Sequence, residues 1–256
     1  MSNLQNFAER VDQAAFKALA IPQLTEENPD LTVDDAYAIQ AMSIAKRLDR
    51  GERRIGIKMG LTSRAKMIQV GVDEVIWGRL TNNMLLEEGG MLSVKRFIHP
   101  RIEPEIVFLM KKRLEGTVSS LEAMAAVEAV APAMEVIDSR YENFKFALPD
   151  VVADNSSSSG LVVGAWRSPE TDVSNLGMVM CVNGRPAQIG SSAAILGHPI
   201  RSLVAGARMV AQRGEVLEPG DIVMAGGATA AHSLTVGETV RLEVQDLGSV
   251  SISVGQ

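Results

Sequence analysis

The sequence predicts an α+β protein with a helical N-terminal region followed by a β-rich core. The first fifty residues carry apolar side chains at helical spacing. From residue 55 onward, short apolar runs alternate with Gly, Pro and Asn, which is typical of strands and turns. The chain has 256 residues, of which 46% are hydrophobic and 22% charged, so it can bury a sizeable core. We expect a mostly helical lobe over residues 1–90 and a β-rich core over residues 91–256.

Two helices are predicted in the N-terminal region. The first covers residues 3–20, where apolar residues recur every three or four positions. The second begins at Thr32, because Thr32 and Asp35 have the spacing of a capping box, and it ends at Gly51. Two further helices are expected within the β-rich part, and they cover about 119–130 and about 200–213.

Eight strands are predicted from residue 55 onward. Each is a short apolar run bounded by turn-forming residues. They cover residues 55–59, 105–111, 133–138, 161–165, 177–182, 222–225, 239–245 and 249–254. Asn183-Gly184 follows the fifth of these runs and predicts a tight hairpin turn, because both residue types tolerate positive φ angles.

The composition excludes several classes of function. The formal net charge is −6, whereas nucleic-acid-binding proteins usually carry a basic surface. One cysteine and three widely separated histidines exclude a disulfide framework and leave no zinc motif. A metal site would therefore depend on carboxylates, which favour hard cations. The sequence has no membrane-spanning stretch and no signal sequence, so we expect a cytoplasmic protein without membrane or nucleic-acid partners.

Acidic residues in two of the predicted strands are candidates for such a metal site. Glu103 and Glu105 are two positions apart, so the pleat directs both carboxylates to one face. Holding them together requires a cation or a proton, unless both lie at a solvated strand end. Glu135 lies within a second apolar run, where an unpaired carboxylate would be costly. The three carboxylates together would form the oxygen-rich site that Mg²⁺ or Mn²⁺ prefers.

Two charged residues close to Glu135 leave the interpretation of this segment open. In a continuous strand Asp138 would face away from Glu135, so the two share a site only where the chain turns. Arg140 could instead neutralise Glu135 or Asp138 in a structural ion pair.

Lys58 is a further candidate, because it lies in a short apolar run between Gly56 and Gly60. A lysine in such a run either extends its ammonium group into solvent or is buried and functional. A buried ammonium group would suit proton transfer or the binding of a substrate carboxylate. The surrounding glycines do not form a phosphate-binding loop, which excludes a nucleotide site of that kind.

Longer motifs resemble one group of enzymes. The motifs are Gly-Ile-Lys-Met-Gly-Leu-Thr-Ser at 56–63, Arg-Ile-Glu-Pro-Glu-Ile at 101–106, Glu-Val-Ile-Asp-Ser-Arg-Tyr-Glu-Asn-Phe-Lys-Phe at 135–146, Val-Ala-Asp-Asn at 152–155, Leu-Gly-His-Pro at 196–199 and Gly-Gly-Ala-Thr-Ala-Ala at 226–231. In order and over nearly the whole chain, they resemble the 2-hydroxypentadienoate hydratases and 4-oxalocrotonate decarboxylases of aromatic meta-cleavage pathways. These enzymes belong to the fumarylacetoacetate hydrolase superfamily.

The resemblance implies a mixed-sheet core of the fumarylacetoacetate hydrolase type and an N-terminal helical lobe that carries the lysine motif. It implies a divalent metal, usually Mg²⁺, bound by Glu103, Glu105 and Glu135, with Lys58 as the active-site lysine. It also suggests homo-oligomers and a complex with the pathway hydratase. Further residues that would support the site or contact the substrate are Asp138 (also an alternative metal ligand), Arg140, Thr62, Ser63, Asp154, Asn155 and Gly227.

One position separates the two activities of this group. The hydratases generally place an Asp immediately before the aromatic-Gly pair that follows the lysine motif, whereas this chain has Ile76 before Trp77. An aliphatic side chain cannot transfer protons, so the resemblance favours the decarboxylases. The expected reaction converts a dicarboxylate, 2-oxohex-3-enedioate, to 2-hydroxypenta-2,4-dienoate. Hydration of that dienoate is the alternative, and a non-catalytic partner subunit is a third.

Overall fold

The computed structural model describes residues 3–63, 67 and 75–256, and its N-terminal region is helical as predicted. Helix α3 (Val33–Asp49) begins at the predicted capping box, in which the side chains of Thr32 and Asp35 each accept a hydrogen bond from the backbone N–H of the other. Helix α1 (Asn3–Lys17) ends before residue 20, because Ala18 has a φ of 50°. The helices are α1 (Asn3–Lys17), α2 (Leu24–Glu27) and α3 (Val33–Asp49).

The larger sheet is mixed and curls on itself. In spatial order it contains β2 (Ile76–Thr81), β1 (Arg54–Gly60), β10 (Ile222–Met224), β5 (Arg101–Met110), β6 (Val127–Ile137), β7 (Ser158–Val163) and β3 (Leu85–Leu86), and β11 (His232–Ser233) pairs with β5. β1 is parallel to β10 and β3 is parallel to β7, while the other pairs are antiparallel. The strand with Lys58 is thus hydrogen-bonded within the same sheet as the strands with the glutamates. The division into a lobe and a core near residue 90 stays a prediction.

A second sheet has five strands. In spatial order they are β4 (Met91–Ser93), β13 (Gly248–Gly255), β12 (Thr239–Val244), β8 (Gly177–Val182) and β9 (Arg185–Ser191). The turn between β8 and β9 is the predicted hairpin, in which Asn183 and Gly184 have φ angles of 51° and 75°. β4 pairs in parallel with β13, so this sheet is also mixed. The α+β class that the sequence predicts is therefore confirmed.

The prediction of a helix over residues 119–130 is correct for the first half of this segment and wrong for the second half. The observed helix is Ser120–Ala125, and β6 begins at Val127. β6 lies between β5 and β7 and pairs with both, and this pairing outweighs the helical preference of its alanines. The helix predicted over 200–213 is observed as Ile200–Ala211.

Apolar side chains cover both faces of the curled sheet. One face packs against the N-terminal helices, the short helix Leu148–Ala153 and the second sheet. The other, inner face carries a smaller apolar cluster that includes Val107 of β5, Leu161 of β7 and Met224 of β10. Because side chains alternate along a strand, this inner face also carries the polar groups of the candidate site. Within the described residues, no helix combines the length and apolar character that a membrane crossing requires.

Candidate metal and catalytic site

β5 and β6 bring three glutamates together on the inner face of the curled sheet. Glu103 and Glu105 are two positions apart on β5, and Glu103 lies opposite Glu135 on β6. Each offers a carboxylate oxygen, and these oxygens lie within 4.8 Å of one another. The three residues are 6%, 0% and 0% exposed, so none lies at a solvated strand end. Such a cluster of oxygen ligands suits a hard divalent cation.

Burial makes this cluster electrostatically unfavourable unless a cation compensates it. Burial first, and then the charges of Glu135 and Glu103, raise the pKa of Glu105 well above its ordinary value. Burial also raises the pKa of Glu135, against the opposing effect of the Lys58 ammonium group. Among the described residues, Glu105 Oε1 and Glu135 Oε1 are buried without a hydrogen-bond donor. These uncompensated carboxylate oxygens fit Mg²⁺ or Mn²⁺.

Lys58 places one positive charge against the cluster. Of the two alternatives that the sequence left open, the structure has the buried one, because Lys58 is 3% exposed. Its Nζ lies 3.0 Å from Glu135 Oε2 and donates a hydrogen bond of 2.8 Å to the carbonyl oxygen of Ser156. The ammonium group therefore lies against one edge of the carboxylate cluster, at Glu135.

The loop that follows β10 packs closely against the carboxylates of Glu103 and Glu105. The N–H of Gly226 donates a hydrogen bond of 2.7 Å to Glu105 Oε2. Gly226 has a φ of 106°, and a Cβ at this position would lie 2.1 Å from the Oγ1 of the buried Thr62. A Cβ at Gly227 would lie 2.3 Å from Glu103 Oε2. Glycine is therefore required at both positions, because a larger side chain would overlap Thr62 or Glu103. Ser63, next to Thr62, is half-buried.

Asp138 lies outside the carboxylate cluster. Its two carboxylate oxygens accept hydrogen bonds of 2.8 Å from the backbone N–H groups of Ile98 and His99. It is buried, but it is not among the carboxylates that lie within metal-binding distance of one another. Asp138 therefore fixes the segment that leads into β5.

Arg140 forms a buried ion pair with Asp154 rather than with Glu135 or Asp138, the partners that the sequence suggested. The Arg140 backbone N–H also donates a hydrogen bond of 2.9 Å to Asp154 Oδ2, and Nη2 donates one of 2.6 Å to the Asp154 carbonyl oxygen. Burial raises the pKa of Asp154 to about 6, although Arg140 opposes this increase. The pair closes the loop between β6 and β7.

Asn155 begins a left-handed turn that the sequence did not predict. Asn155, Ser156 and Ser157 have φ angles of 50°, 54° and 60°. The Asn155 side chain accepts a hydrogen bond of 2.7 Å from the backbone N–H of Arg79 and donates one of 2.8 Å to its carbonyl oxygen. The turn directs the Ser156 carbonyl oxygen to Lys58. An Asn before small polar residues is the only sequence signal for such a turn, because these residues tolerate the left-handed conformation.

Known proteins resemble this chain over its whole length. The family model described as fumarylacetoacetate (FAA) hydrolase C-terminal matches residues 4–254. A 4-oxalocrotonate decarboxylase from Pseudomonas sp. is 60% identical over 250 residues, which cover 98% of this chain and 97% of the relative. A 2-hydroxyhexa-2,4-dienoate hydratase from Comamonas testosteroni is 32% identical over 254 residues, which cover 97% of this chain and 96% of the hydratase.

A solved structure is also closely similar. It is that of 4-oxalocrotonate decarboxylase from Pseudomonas putida G7, complexed with magnesium and adipate. The TM-score is 0.95 at 40% sequence identity, and the match covers 98% of this chain and 97% of the other. These similarities confirm the family resemblance and the fold that the sequence motifs predicted.

Proposed function

The chain belongs to the fumarylacetoacetate hydrolase family, and we propose that it catalyses the metal-dependent decarboxylation of 2-oxohex-3-enedioate (4-oxalocrotonate) to 2-hydroxypenta-2,4-dienoate. The observation that carries this proposal is the buried cluster of Glu103, Glu105 and Glu135 beside Lys58. The relative that is 60% identical is named for this reaction and supports the choice. The step would belong to the meta-cleavage catabolism of aromatic compounds.

We assign the metal site to Glu103, Glu105 and Glu135, with Mg²⁺ as the expected ion and Mn²⁺ as the alternative. A magnesium-bound structure of a 40% identical decarboxylase supports this assignment. When bound, the cation would supply Lewis-acid stabilisation of the negative charge that develops on the C2 oxygen of the substrate. Gly226 donates a hydrogen bond to the Glu105 carboxylate, and Gly227 leaves room for that of Glu103.

The chemistry requires no nucleophile from the protein. The substrate loses its C6 carboxylate as CO₂ when the C5–C6 bond breaks. The electron pair of that bond moves through the C3=C4 double bond to the C2 ketone oxygen, which takes up a proton. We assign to the Lys58 ammonium group the neutralisation of the C1 carboxylate or the holding of the proton on the C2 oxygen, and its position beside Glu135 supports this role. Its hydrogen bond to Ser156 O keeps Nζ at the edge of the cluster.

Ile76 favours decarboxylation over hydration. It begins β2 opposite Gly60 of β1 and is 5% exposed. A Cβ at Gly60 would lie 3.0 Å from Ile76 Cγ1 and 3.6 Å from Lys58 Nζ, so the Ile76 side chain and the ammonium group both lie close to Gly60. This is the position at which the hydratases resembling this chain generally have an Asp. Hydration of 2-hydroxypenta-2,4-dienoate is the second candidate, and a 32% identical hydratase supports it.

The reaction can be tested directly with purified protein, Mg²⁺ and 2-oxohex-3-enedioate. We expect release of CO₂ together with formation of the dienoate. Glu105→Gln should release none, whereas Glu128→Gln, which changes an exposed glutamate on β6, should match the wild type. Hydration of the dienoate without release of CO₂ would make the protein a hydratase. If a folded and magnesium-loaded protein catalysed neither of the two reactions, the chain would be a non-catalytic partner subunit.

We further propose that the protein acts on small dicarboxylates in the cytoplasm, as a homo-oligomer that also associates with the pathway hydratase. The product of the proposed reaction is an unstable dienol, so direct transfer to a hydratase would limit its loss. Light scattering of the protein alone and after mixing with such a hydratase would test both associations. A monomeric mass in both samples would contradict them.

A further inference from the structure

We propose that Arg101 binds the second carboxylate of the substrate and thereby makes the site selective for dicarboxylates; this rests on the decarboxylase function proposed above. Arg101 is the first residue of β5 and lies two positions before Glu103. Since side chains at i, i+2 and i+4 share one face of a strand, the pleat places Arg101 on the same face as Glu103 and Glu105. The arginine therefore lies beyond the carboxylate cluster, toward the start of the strand.

The guanidinium group of Arg101 is held by an aromatic ring. Its Cζ lies 4.0 Å from the centroid of the Phe144 ring, and the residue is half-buried. Within the described residues, no hydrogen bond or ion pair of this guanidinium is observed. Stacking restrains the plane of a guanidinium group but leaves its edge N–H donors available. Such an edge matches the planar, bidentate geometry of a carboxylate.

Phe144 is itself fixed by its surroundings. Its ring centroid lies 5.1 Å from that of His99 and 6.0 Å from that of Phe146. Asn143 and Phe144 both have a φ of 57°, in the left-handed region that residues with side chains seldom adopt. Strained backbone of this kind is typical of functional sites. The turn thus presents the aromatic ring to the arginine.

The spacing along β5 matches the proposed substrate. Residues two apart on a strand are separated by about 6.8 Å. The two carboxyl carbons of an extended six-carbon diacid are joined by five carbon–carbon bonds of about 1.5 Å each, so their separation is comparable. With the 2-oxo acid end at the glutamate cluster, the C6 carboxylate would reach the level of Arg101. Asp138 follows the β6 residue that pairs with Arg101. Both of its carboxylate oxygens already accept backbone hydrogen bonds, from Ile98 and His99.

The proposal is tested by binding two ligands to the magnesium-loaded protein. 2-Oxoadipate and 2-oxohexanoate share the 2-oxo acid end and differ only in the second carboxylate. The wild type should bind 2-oxoadipate at least about tenfold more tightly, since a charge-assisted hydrogen bond contributes about this factor. Arg101→Gln should remove most of that preference and leave the affinity for 2-oxohexanoate unchanged. With 2-oxohex-3-enedioate, Arg101→Gln should raise KM much more than it lowers kcat.

Two further variants make the result decisive. Arg96→Gln is the matched control, because Arg96 is exposed and stacks on Phe97 at 5.9 Å, and it should keep the wild-type preference. Arg101→Lys retains a charge without the bidentate edge and should keep an intermediate preference. If Arg101→Gln still prefers 2-oxoadipate, or if it weakens both ligands equally, the proposed role is overturned. A wild type without any preference and without CO₂ release would instead overturn the function on which it rests.

Discussion

At the scale of single residues, three carboxylates and one ammonium group occupy a buried place where each isolated charge would be costly. The apolar side chains of this face offer no hydrogen bonds, and within the described part of the chain Glu105 Oε1 and Glu135 Oε1 are buried without a hydrogen-bond partner. In such an environment the stability of the folded chain and its affinity for a cation oppose one another. Substitutions that remove one of the negative charges should therefore stabilise the metal-free protein while weakening its metal binding.

Glu105→Gln tests this opposition. The substitution keeps the shape of the side chain but removes one of three like charges, so we expect magnesium affinity to fall at least about a hundredfold and turnover to be lost. The metal-free variant should unfold at a higher temperature than the metal-free wild type. Isothermal titration with Mg²⁺ and thermal unfolding in a chelator measure the two effects. Glu128→Gln should change neither, and a Glu105→Gln protein with wild-type affinity would refute the metal site.

Lys58→Met separates the role of the ammonium group from that of the metal. Turnover should fall by about 10² to 10⁴, the range in which a positioned proton donor usually contributes. Magnesium binding should persist, because removing the cation that contacts Glu135 leaves more negative charge for the metal. Release of CO₂ and magnesium titration give the two readouts. Lys95→Met, at an exposed position, is the control, and unchanged turnover in Lys58→Met would contradict the assignment.

At the scale of structural elements, the left-handed turn of residues 155–157 determines where the ammonium group lies. The turn packs beside β2, where Ser156 Oγ also donates a hydrogen bond of 2.7 Å to the carbonyl oxygen of Trp77. Close packing extends to Gly78, at which a Cβ would lie 2.4 Å from the carbonyl oxygen of Asn155. The strained conformation of this turn is maintained because the side chains of Asn155 and Ser156 are both hydrogen-bonded to the backbone of β2.

Ser157→Gly should relieve part of that strain. Ser157 has a φ of 60°, and its buried Oγ has no hydrogen-bond partner among the described residues. Glycine adopts this conformation without a steric cost, so we expect the free energy of unfolding to rise by about 1 kcal/mol. Chemical denaturation measures the change. Ser158→Gly is the matched comparison, because Ser158 has a φ of −65°, and it should lower stability. Destabilisation by Ser157→Gly would show that the serine is required.

Elements with a clear apolar period could be predicted from the sequence, and those held by long-range pairing could not. The shared face of Glu103 and Glu105 follows from alternation along one strand, which is a local property. Their meeting with Glu135 depends on the register between β5 and β6, which no local pattern determines. β2 was not predicted, because its Gly78 and Arg79 interrupt the apolar run and are explained by contacts with distant residues, among them Asn155. For the same reason, the role of the Ser156 carbonyl could not be predicted.

At the scale of the whole molecule, the N-terminal helices are connected directly to the site. Gln40 of α3 is buried and donates hydrogen bonds of 3.1 Å and 2.7 Å to the carbonyl oxygens of Trp77 and Val152. Its Oε1 accepts a hydrogen bond of 2.6 Å from Arg79, whose backbone pairs with Asn155. Helix α3, β2 and the left-handed turn are thus joined through one polar network. Changes in the charge of the site should therefore affect the unfolding of the whole chain.

The metal-free protein should lose stability as the pH rises. Burial raises the pKa of Glu105 and Glu135 above the ordinary value of 4.5, so above that pH the folded state binds more protons than the unfolded chain. The corresponding stability is fully present below this value and is lost as the pH rises through the raised pKa values. Mg²⁺ binds the deprotonated cluster of the folded state, so its stabilising effect should grow with pH and reach about 2.7 kcal/mol at a hundredfold excess over Kd.

Scanning calorimetry from about pH 5 to about pH 8, in chelator and in Mg²⁺, measures this dependence. The difference between wild type and Glu105→Gln isolates the cluster, because all other titrating groups are common to both proteins. In chelator, the variant should gain stability relative to the wild type as the pH rises, since it lacks one of the carboxylates that must deprotonate in a buried place. In Mg²⁺ that advantage should reverse, because only the wild type binds the ion tightly. An equal magnesium-induced increase in Tm at both ends of the pH range would contradict a proton-linked carboxylate site.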